Sequence, residues 1–223
     1  MSRVCVIVEG PTEESFVNGP LAEVLSYRQV YVTPVILGVP GHKGGRTNYA
    51  RVEKDVLRQL KQDRRSYCTT MLDYYGLGRG FPGTPVPEHL RSVQKAEHIE
   101  RAVKEDICRQ IPDFRPDVRL IPYLCLHEFE GLLFSDPDAF AHSLGQPLLA
   151  RQLQQMRDDF PTPEDINDRP ESAPSKRVLS LYPFYRKVIE GTLAARAVGV
   201  QKMRQECVHF GDWLRRLEAL PDL

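Results

Sequence analysis

Four short apolar runs in the first 126 residues have the length and β-branched character of buried strands. They cover residues 3–8 (RVCVIV), 30–37 (VYVTPVIL), 67–72 (YCTTML) and 118–126 (VRLIPYLCL). Pro34 interrupts the second run and has no N–H to donate, so we expect this strand at an edge or a bulge of the sheet.

Between these runs the apolar residues recur at helical spacing. A turn at Gly10-Pro11-Thr12 precedes one helical stretch, and residues 48–62 and 95–111 carry two more. This β-α-β-α-β-α-β alternation predicts an α/β fold with a four-stranded, mostly parallel sheet flanked by helices. Beyond Asp136 the pattern is helical, so we divide the chain into a sheet domain, 1–137, and a helical C-terminal extension, 138–223.

The overall composition is that of an ordinary globular protein, with 41% hydrophobic residues in 223. No apolar run is long enough to cross a bilayer, and the N-terminus lacks the pattern of a signal peptide. The five cysteines are scattered and include no CxxC pair. They indicate reduced thiols and a cytoplasmic protein.

Charge is unevenly distributed along a chain whose 30 basic and 30 acidic residues sum to zero. Residues 43–65 contain eight basic and three acidic residues, and residues 176–216 contain nine and three. Between them, residues 127–171 carry ten acidic residues against three arginines. Such clusters are either solvated helix faces or two basic surfaces around an acidic centre, and the second arrangement suits phosphate groups and metal ions.

Acidic residues follow three of the four predicted strands. Glu9 follows the first, Asp73 the third, and Glu128 and Glu130 the fourth, while Glu13 lies one helical turn after Glu9. Ligands collect at the carboxyl ends of parallel strands, and converging carboxylates need a cation. Oxygen ligands select Mg²⁺ or Mn²⁺. Each acid also has a structural interpretation: a helix-dipole partner for Glu13, a turn cap for Asp73, and an exposed strand-to-helix junction for the last two.

Other chemistry is less well supported. The loop GVPGHKGG lacks the GxxxxGK[ST] spacing of a Walker A motif, since Gly44 stands in the Ser/Thr place. No HxxxH, HExxH or GxSxG pattern occurs, so we expect His127 to support or cap the site and not to bind zinc.

Four motifs in order resemble the Toprim superfamily: VIVEGPTEESFV, TTMLDYYGL, LCLHEFEGLLFSD and INDRPESAPSKR. The first is similar to the Toprim domains of OLD-type nucleases. The last two resemble a bacterial family of Toprim-like proteins of unknown function, often encoded beside an ABC/SMC-like ATPase, with RloB/AbiL-type phage-defence proteins as neighbours. The resemblance extends from Val4 to about Arg177, and it implies a Toprim-like sheet with a divalent metal site.

Carried over to this chain, the resemblance implies that Glu9 and Asp73 hold the main metal and that Glu13 serves a second ion. Tyr75 stands where the family has the second Asp of its DxD motif. That removes one carboxylate, which Glu128 or Glu130 could replace.

The same resemblance places Lys176, in the SAPSKR motif, near a scissile phosphate as a catalytic residue. We therefore expect a Mg²⁺-dependent nuclease acting on DNA or RNA in bacterial anti-phage defence, with a partner ATPase. A homodimer is a candidate assembly. The alternative is a non-catalytic or conditionally active nucleic-acid-binding subunit of an ATPase complex. A topoisomerase or primase is disfavoured because the chain is short.

Overall fold

A computed structural model describes residues 1–38, 47–78, 80–166 and 173–222. The GVPGHKGG loop, apart from its first residue, lies outside the described residues. In the described part of the chain, no helix combines the length and apolar character needed to cross a membrane.

The centre of the fold is a five-stranded parallel sheet with helices packed on it, which confirms the predicted α/β class. Its strands are β1 (Ser2–Val8), β2 (Val30–Ile36), β3 (Tyr67–Asp73), β4 (Leu120–Ile121) and β5 (Leu124–Cys125). The order is β2-β1-β3-β4, and β5 also pairs with β3. The strand that contains Pro34 is therefore at an edge, as the sequence predicts.

The predicted fourth strand, 118–126, is wrong in its extent. A short helix occupies Pro116–Arg119, and the strand itself is split into β4 and β5 around Pro122. Proline has no N–H to donate to the hydrogen-bond ladder between strands. Beside it, the side chain of Thr70 hydrogen-bonds the main chain of Tyr123 in place of a strand neighbour. Its Oγ1 donates to the Tyr123 carbonyl at 2.8 Å and accepts from the Tyr123 N–H at 2.9 Å.

The helices of the sheet region lie close to their predicted positions. The first runs as α1 (Pro11–Phe16), a π-helical turn (Val17–Leu21) and α2 (Ala22–Ser26). Pro20 lies inside the π-turn, where the wider helix accommodates a residue with no N–H. The next two are α3 (Tyr49–Gln62) and α4 (Ser92–Gln110), followed by α5 (Pro116–Arg119).

The chain after β5 is helical, as predicted. Its helices are α6 (Pro137–Ser143), α7 (Ala150–Asp158), α8 (Pro174–Leu181), α9 (Lys187–Val198), α10 (Val200–Glu206) and α11 (Val208–Glu218). Short 3₁₀ turns occupy Tyr74–Gly76, Pro112–Phe114, Phe129–Ser135, Pro147–Leu149 and Pro163–Asp165.

The hydrophobic core has two parts, because alternate residues of the sheet point to opposite faces. One part contains Ile7, and the other contains Val6 together with aromatic residues of the C-terminal helices. In the second part Trp213 of α11 stacks on Tyr123, with ring centroids 4.4 Å apart. The sheet region and the helical extension thus share the second part of the core, and the division at residue 137 stays a prediction.

Candidate carboxylate site

The carboxyl ends of β1 and β3 lie side by side because the two strands are parallel neighbours. Glu9 follows β1 directly, and its carboxylate packs over Gly76. A Cβ at Gly76 would lie 3.0 Å from both Glu9 oxygens, so this turn leaves room for the carboxylate only because glycine has no side chain. Glu9 Oε1 is buried and has no hydrogen-bond partner among the described residues.

Burial raises the pKa of Glu9 against the smaller opposing effects of Thr47, the Asp73 main chain and Lys187. A buried carboxylate with one unsatisfied oxygen is costly for a folded chain, since such groups are normally hydrogen-bonded or paired. The buried Glu9 oxygen without a hydrogen-bond partner is therefore what we expect of a carboxylate that binds a further ligand.

Glu13 occupies the first turn of α1, and its Oε2 accepts a hydrogen bond from the Gly10 N–H at 3.1 Å. Glu13 thus caps the N-terminus of α1, and it also lies in the first turn, where the interpretation as a helix-dipole partner places it. It is also buried, and burial together with the charge of Glu9 raises its pKa. Glu13 therefore caps the helix and also belongs to the acidic group around Glu9.

Asp73 ends β3, and its Oδ1 accepts a hydrogen bond from the Phe129 N–H at 3.1 Å. Burial raises its pKa well above the ordinary value, and the charges of Glu13, Glu9 and Glu130 raise it further. Four of the predicted residues, Glu9, Glu13, Asp73 and Glu130, are therefore close enough for the charges of the other three to raise the pKa of Asp73.

Glu130 lies in the 3₁₀ turn Phe129–Ser135 and is only 1% exposed. Its Oε2 accepts a hydrogen bond from Lys187 Nζ at 3.1 Å, whereas Oε1 has no partner among the described residues. Burial raises the pKa of Glu130 to about 7, with Glu128 adding to the effect and Lys187 opposing it. Glu128 lies 3.9 Å from Lys187 Nζ and accepts from the Ser175 N–H at 3.0 Å.

Lys187, the first residue of α9, also lies among the acids, although no sequence motif singles it out. Partial burial favours its neutral form, but Glu130, Glu128 and Asp73 outweigh this and raise its pKa. Lys187 is consequently a fixed positive charge among the acids, and its side chain is still 43% exposed. The only sequence signal was its place in the basic segment 176–216.

Lys176, the lysine singled out from the sequence, has an exposed side chain in the first turn of α8. The SAPSKR motif reaches the acidic group through the main chain of its neighbour Ser175, which holds Glu128. A role for Lys176 near a scissile phosphate stays a prediction.

Two aromatic rings lie next to the acids. Tyr75, two residues after Asp73, stacks on His127, which directly precedes Glu128; the ring centroids are 4.9 Å apart and the planes 26° apart. Tyr74 contacts Tyr75 edge-on at 5.8 Å. His127 has a φ of 69°, a left-handed conformation that is uncommon for a residue other than glycine.

The chemistry of the donors suits a hard divalent cation. The acids offer oxygen only, they repel one another, and Glu9 and Glu130 each have an unsatisfied buried oxygen. In the side-chain positions of the described residues, however, no three His, Cys, Asp or Glu side chains are already gathered as a ligand set. A metal would therefore require rearrangement of these side chains and would share the site with Lys187.

A family model described as "Domain of unknown function (DUF4276)" matches residues 8–218. The matched range contains all five carboxylates and Lys187. No curated protein matches the chain, and no solved structure matches it. Function has therefore to be argued from the site itself.

Proposed function

We propose that this chain, which belongs to the family described as Domain of unknown function (DUF4276), is a divalent-metal-dependent nuclease that hydrolyses phosphodiester bonds of DNA or RNA. The observation that supports this most is a group of buried carboxylates at the ends of β1 and β3 whose charges act on one another. There the charges of Glu9, Glu13 and Glu130 raise the pKa of Asp73. One oxygen of Glu9 is buried without a hydrogen-bond partner among the described residues. Coupled acids in such a position are typical of sites that bind metal ions.

Glu9 and Asp73 would hold the main ion, with Glu13 and Glu130 available for a second. When bound, Mg²⁺ or Mn²⁺ would offset phosphate charge and make water a stronger nucleophile. The protein supplies the fixed positions: Gly10 orients Glu13, and the Phe129 N–H orients Asp73.

Lys187 is the cation that we assign to the phosphoryl oxygens. Glu130 and Glu128 hold its ammonium group, and its side chain is partly exposed to an incoming substrate. A preorganised positive charge at the reacting phosphate stabilises the charge that develops there. Lys176 remains a second candidate for this role.

The exposed face of α3 supports binding of a phosphate backbone. Arg51, Lys54, Arg58 and Lys61 are exposed along this helix. Such contacts hold a nucleic acid without reading its sequence. The resemblance to Toprim-like proteins supports a place in anti-phage defence with a partner ATPase.

The proposal is tested by incubating the protein with supercoiled plasmid DNA and with RNA in Mg²⁺ or Mn²⁺, with and without the neighbouring ATPase. Glu9→Gln and Asp73→Asn should each lower cleavage by at least about 10- to 100-fold, which is the cost of losing even a group that only supports a metal ligand. Glu14→Gln is the matched control, because Glu14 follows Glu13 on the same helix and is more accessible. Wild-type protein inert on every substrate with the ATPase present would contradict the proposal.

The second candidate function is a non-catalytic or conditionally active subunit of an ATPase complex. Two observations favour it: Lys187 already offsets part of the acidic charge, and Tyr75 replaces the second acid of the DxD motif. Calorimetry with Mg²⁺ separates the two functions. Absence of metal binding by the wild-type protein supports the subunit, whereas binding that is lost in Asp73→Asn supports the nuclease.

A further inference from the structure

Tyr75 and His127 form a stacked pair beside the acidic residues in sequence. Tyr75 is two residues from Asp73, and His127 is next to Glu128, so the two rings come from the same strand ends as the carboxylates. His127 is 6% exposed, whereas Tyr75 is 38% exposed. The pair therefore consists of a buried ring that supports an accessible one.

The rings are held in place from several directions. Tyr74 packs edge-on against Tyr75, and His127, whose backbone is left-handed, stacks on Tyr75. A non-glycine residue in this conformation costs the fold free energy, and such residues cluster at functional sites. The short 3₁₀ turn Tyr74–Gly76 also carries Gly76, over which Glu9 packs. One turn thus positions both the aromatic ring and the first carboxylate.

We propose that Tyr75, supported by His127, is a stacking platform for an unpaired nucleobase, and that the substrate is consequently single-stranded nucleic acid. The proposal rests on the function proposed above and specifies its substrate. An exposed aromatic ring accepts any base on its face, which is how single strands are bound without sequence preference. In a duplex the bases are stacked on each other and would first have to be extruded, at a cost of unstacking and unpairing.

The position of the platform explains why the base matters to the chemistry. Because Tyr75 lies two residues after Asp73, a base stacked on Tyr75 would bring its sugar-phosphate to the strand end that carries this acid. The exposed basic face of α3 would then hold the flanking phosphates. The residue that departs from the DxD motif would thereby exchange a metal ligand for a substrate contact.

The test is equilibrium binding of fluorescent 12-nucleotide strands in EDTA, so that the readout does not depend on cleavage. Wild-type protein should bind the single strand at least about tenfold more tightly than the matching duplex or a strand of abasic sites. Tyr75→Ala should weaken single-strand binding by about 5- to 100-fold, the range that loss of one stacked base produces. Tyr75→Phe should stay within about threefold of wild type.

Tyr27→Ala is the matched control, since Tyr27 is 82% exposed at the end of α2, next to the opposite ends of the strands. Circular dichroism and thermal unfolding establish that each variant is folded. A strand carrying 2-aminopurine adds a direct readout, because its fluorescence should be quenched by wild type and by Tyr75→Phe but not by Tyr75→Ala.

Equal affinity for single strand and duplex would overturn the platform, and so would wild-type affinity in Tyr75→Ala. Free AMP that competes as strongly as the 12-nucleotide strand would also overturn it, because it would indicate a nucleotide site. These outcomes are independent of the nuclease assay. Cleavage by a wild-type protein that binds single strand and duplex equally would leave the nuclease in place and remove the platform. Selective binding by a wild-type protein that does not cleave would do the reverse.

Discussion

Two groups of buried acids in this molecule differ in whether their carboxylate oxygens have hydrogen-bond partners. Glu164, in the 3₁₀ turn Pro163–Asp165, accepts from the His209 and Phe210 N–H groups at 2.9 Å each. Glu100 accepts from the Leu124 N–H at 2.7 Å and contacts His209 Nε2 at 2.9 Å. These acids join α4, the sheet and α11, and neither has a buried oxygen without a hydrogen-bond partner among the described residues. We call Glu100, Glu164 and His209 the structural network.

The group around Glu9 lacks this balance. Glu9 and Glu130 are each left with a buried oxygen that has no partner among the described residues, and the acids raise one another's pKa. Burial alone therefore does not distinguish a functional acid from a structural one. The distinguishing feature is whether the fold satisfies the carboxylate, because an unsatisfied one costs stability that only a bound ligand can recover.

The largest effect on stability is expected in the structural network. Glu164→Ala leaves the His209 and Phe210 N–H groups at the start of α11 buried and unpaired. Each such group costs about 1–3 kcal/mol, so the free energy of unfolding should fall by about 3 kcal/mol. Urea denaturation measures it, and Glu164→Gln, which retains one acceptor, should lose less. A loss below about 1 kcal/mol would remove the contrast between the two groups.

A second, smaller effect should appear in the pH dependence of stability. Burial favours neutral His209, but its hydrogen bond to Glu100 and the charges of Glu100, Glu164 and Glu97 outweigh this and raise its pKa. The stabilisation is therefore fully present below the unfolded-state pKa of about 6.5 and is lost as pH rises through the folded-state value. His209→Gln should thus be most destabilised relative to wild type near pH 6. A difference in unfolding free energy that stays constant from pH 6 to 9 would contradict this.

The smallest effect is expected at Glu9. Its raised pKa means that the ionised carboxylate costs stability at pH 7, above the unfolded-state pKa of about 4.3. Glu9→Gln in EDTA should consequently leave the free energy of unfolding unchanged or raise it, while Glu14→Gln keeps the wild-type value. Thermal and urea unfolding measure both variants. A clear loss in Glu9→Gln would place Glu9 among the structural acids.

Much of the sheet region follows from local pattern. The run 67–72 corresponds to β3, and the helix expected at 48–62 corresponds to α3, whose N-terminus Asn48 caps by accepting from the Arg51 N–H. The predicted fourth strand is too long because its apolar run continues through Pro122, where the hydrogen-bond ladder is broken. Apolar periodicity records burial, and Tyr123 is buried whether or not its main chain pairs in the sheet.

The site was predictable where it follows strand ends. Glu9 and Asp73 come directly from the rule for parallel sheets, and Glu13 from its helical spacing. Lys187 was not predictable, since its approach to Glu130 depends on how α9 packs against the sheet region. Nor does a single sequence distinguish Lys187 from Lys176, because both lie in the same basic segment.

The ion pair between Lys187 and Glu130 also bears on how the protein is made. Glu9 leaves the ribosome well before α9, the helix that supplies the lysine that offsets the acids. Contacts between such distant parts of a chain form slowly and last. A nascent chain that stops before α9 would carry the acids without their counter-charge, so the finished site should exist only in molecules whose translation has passed this helix.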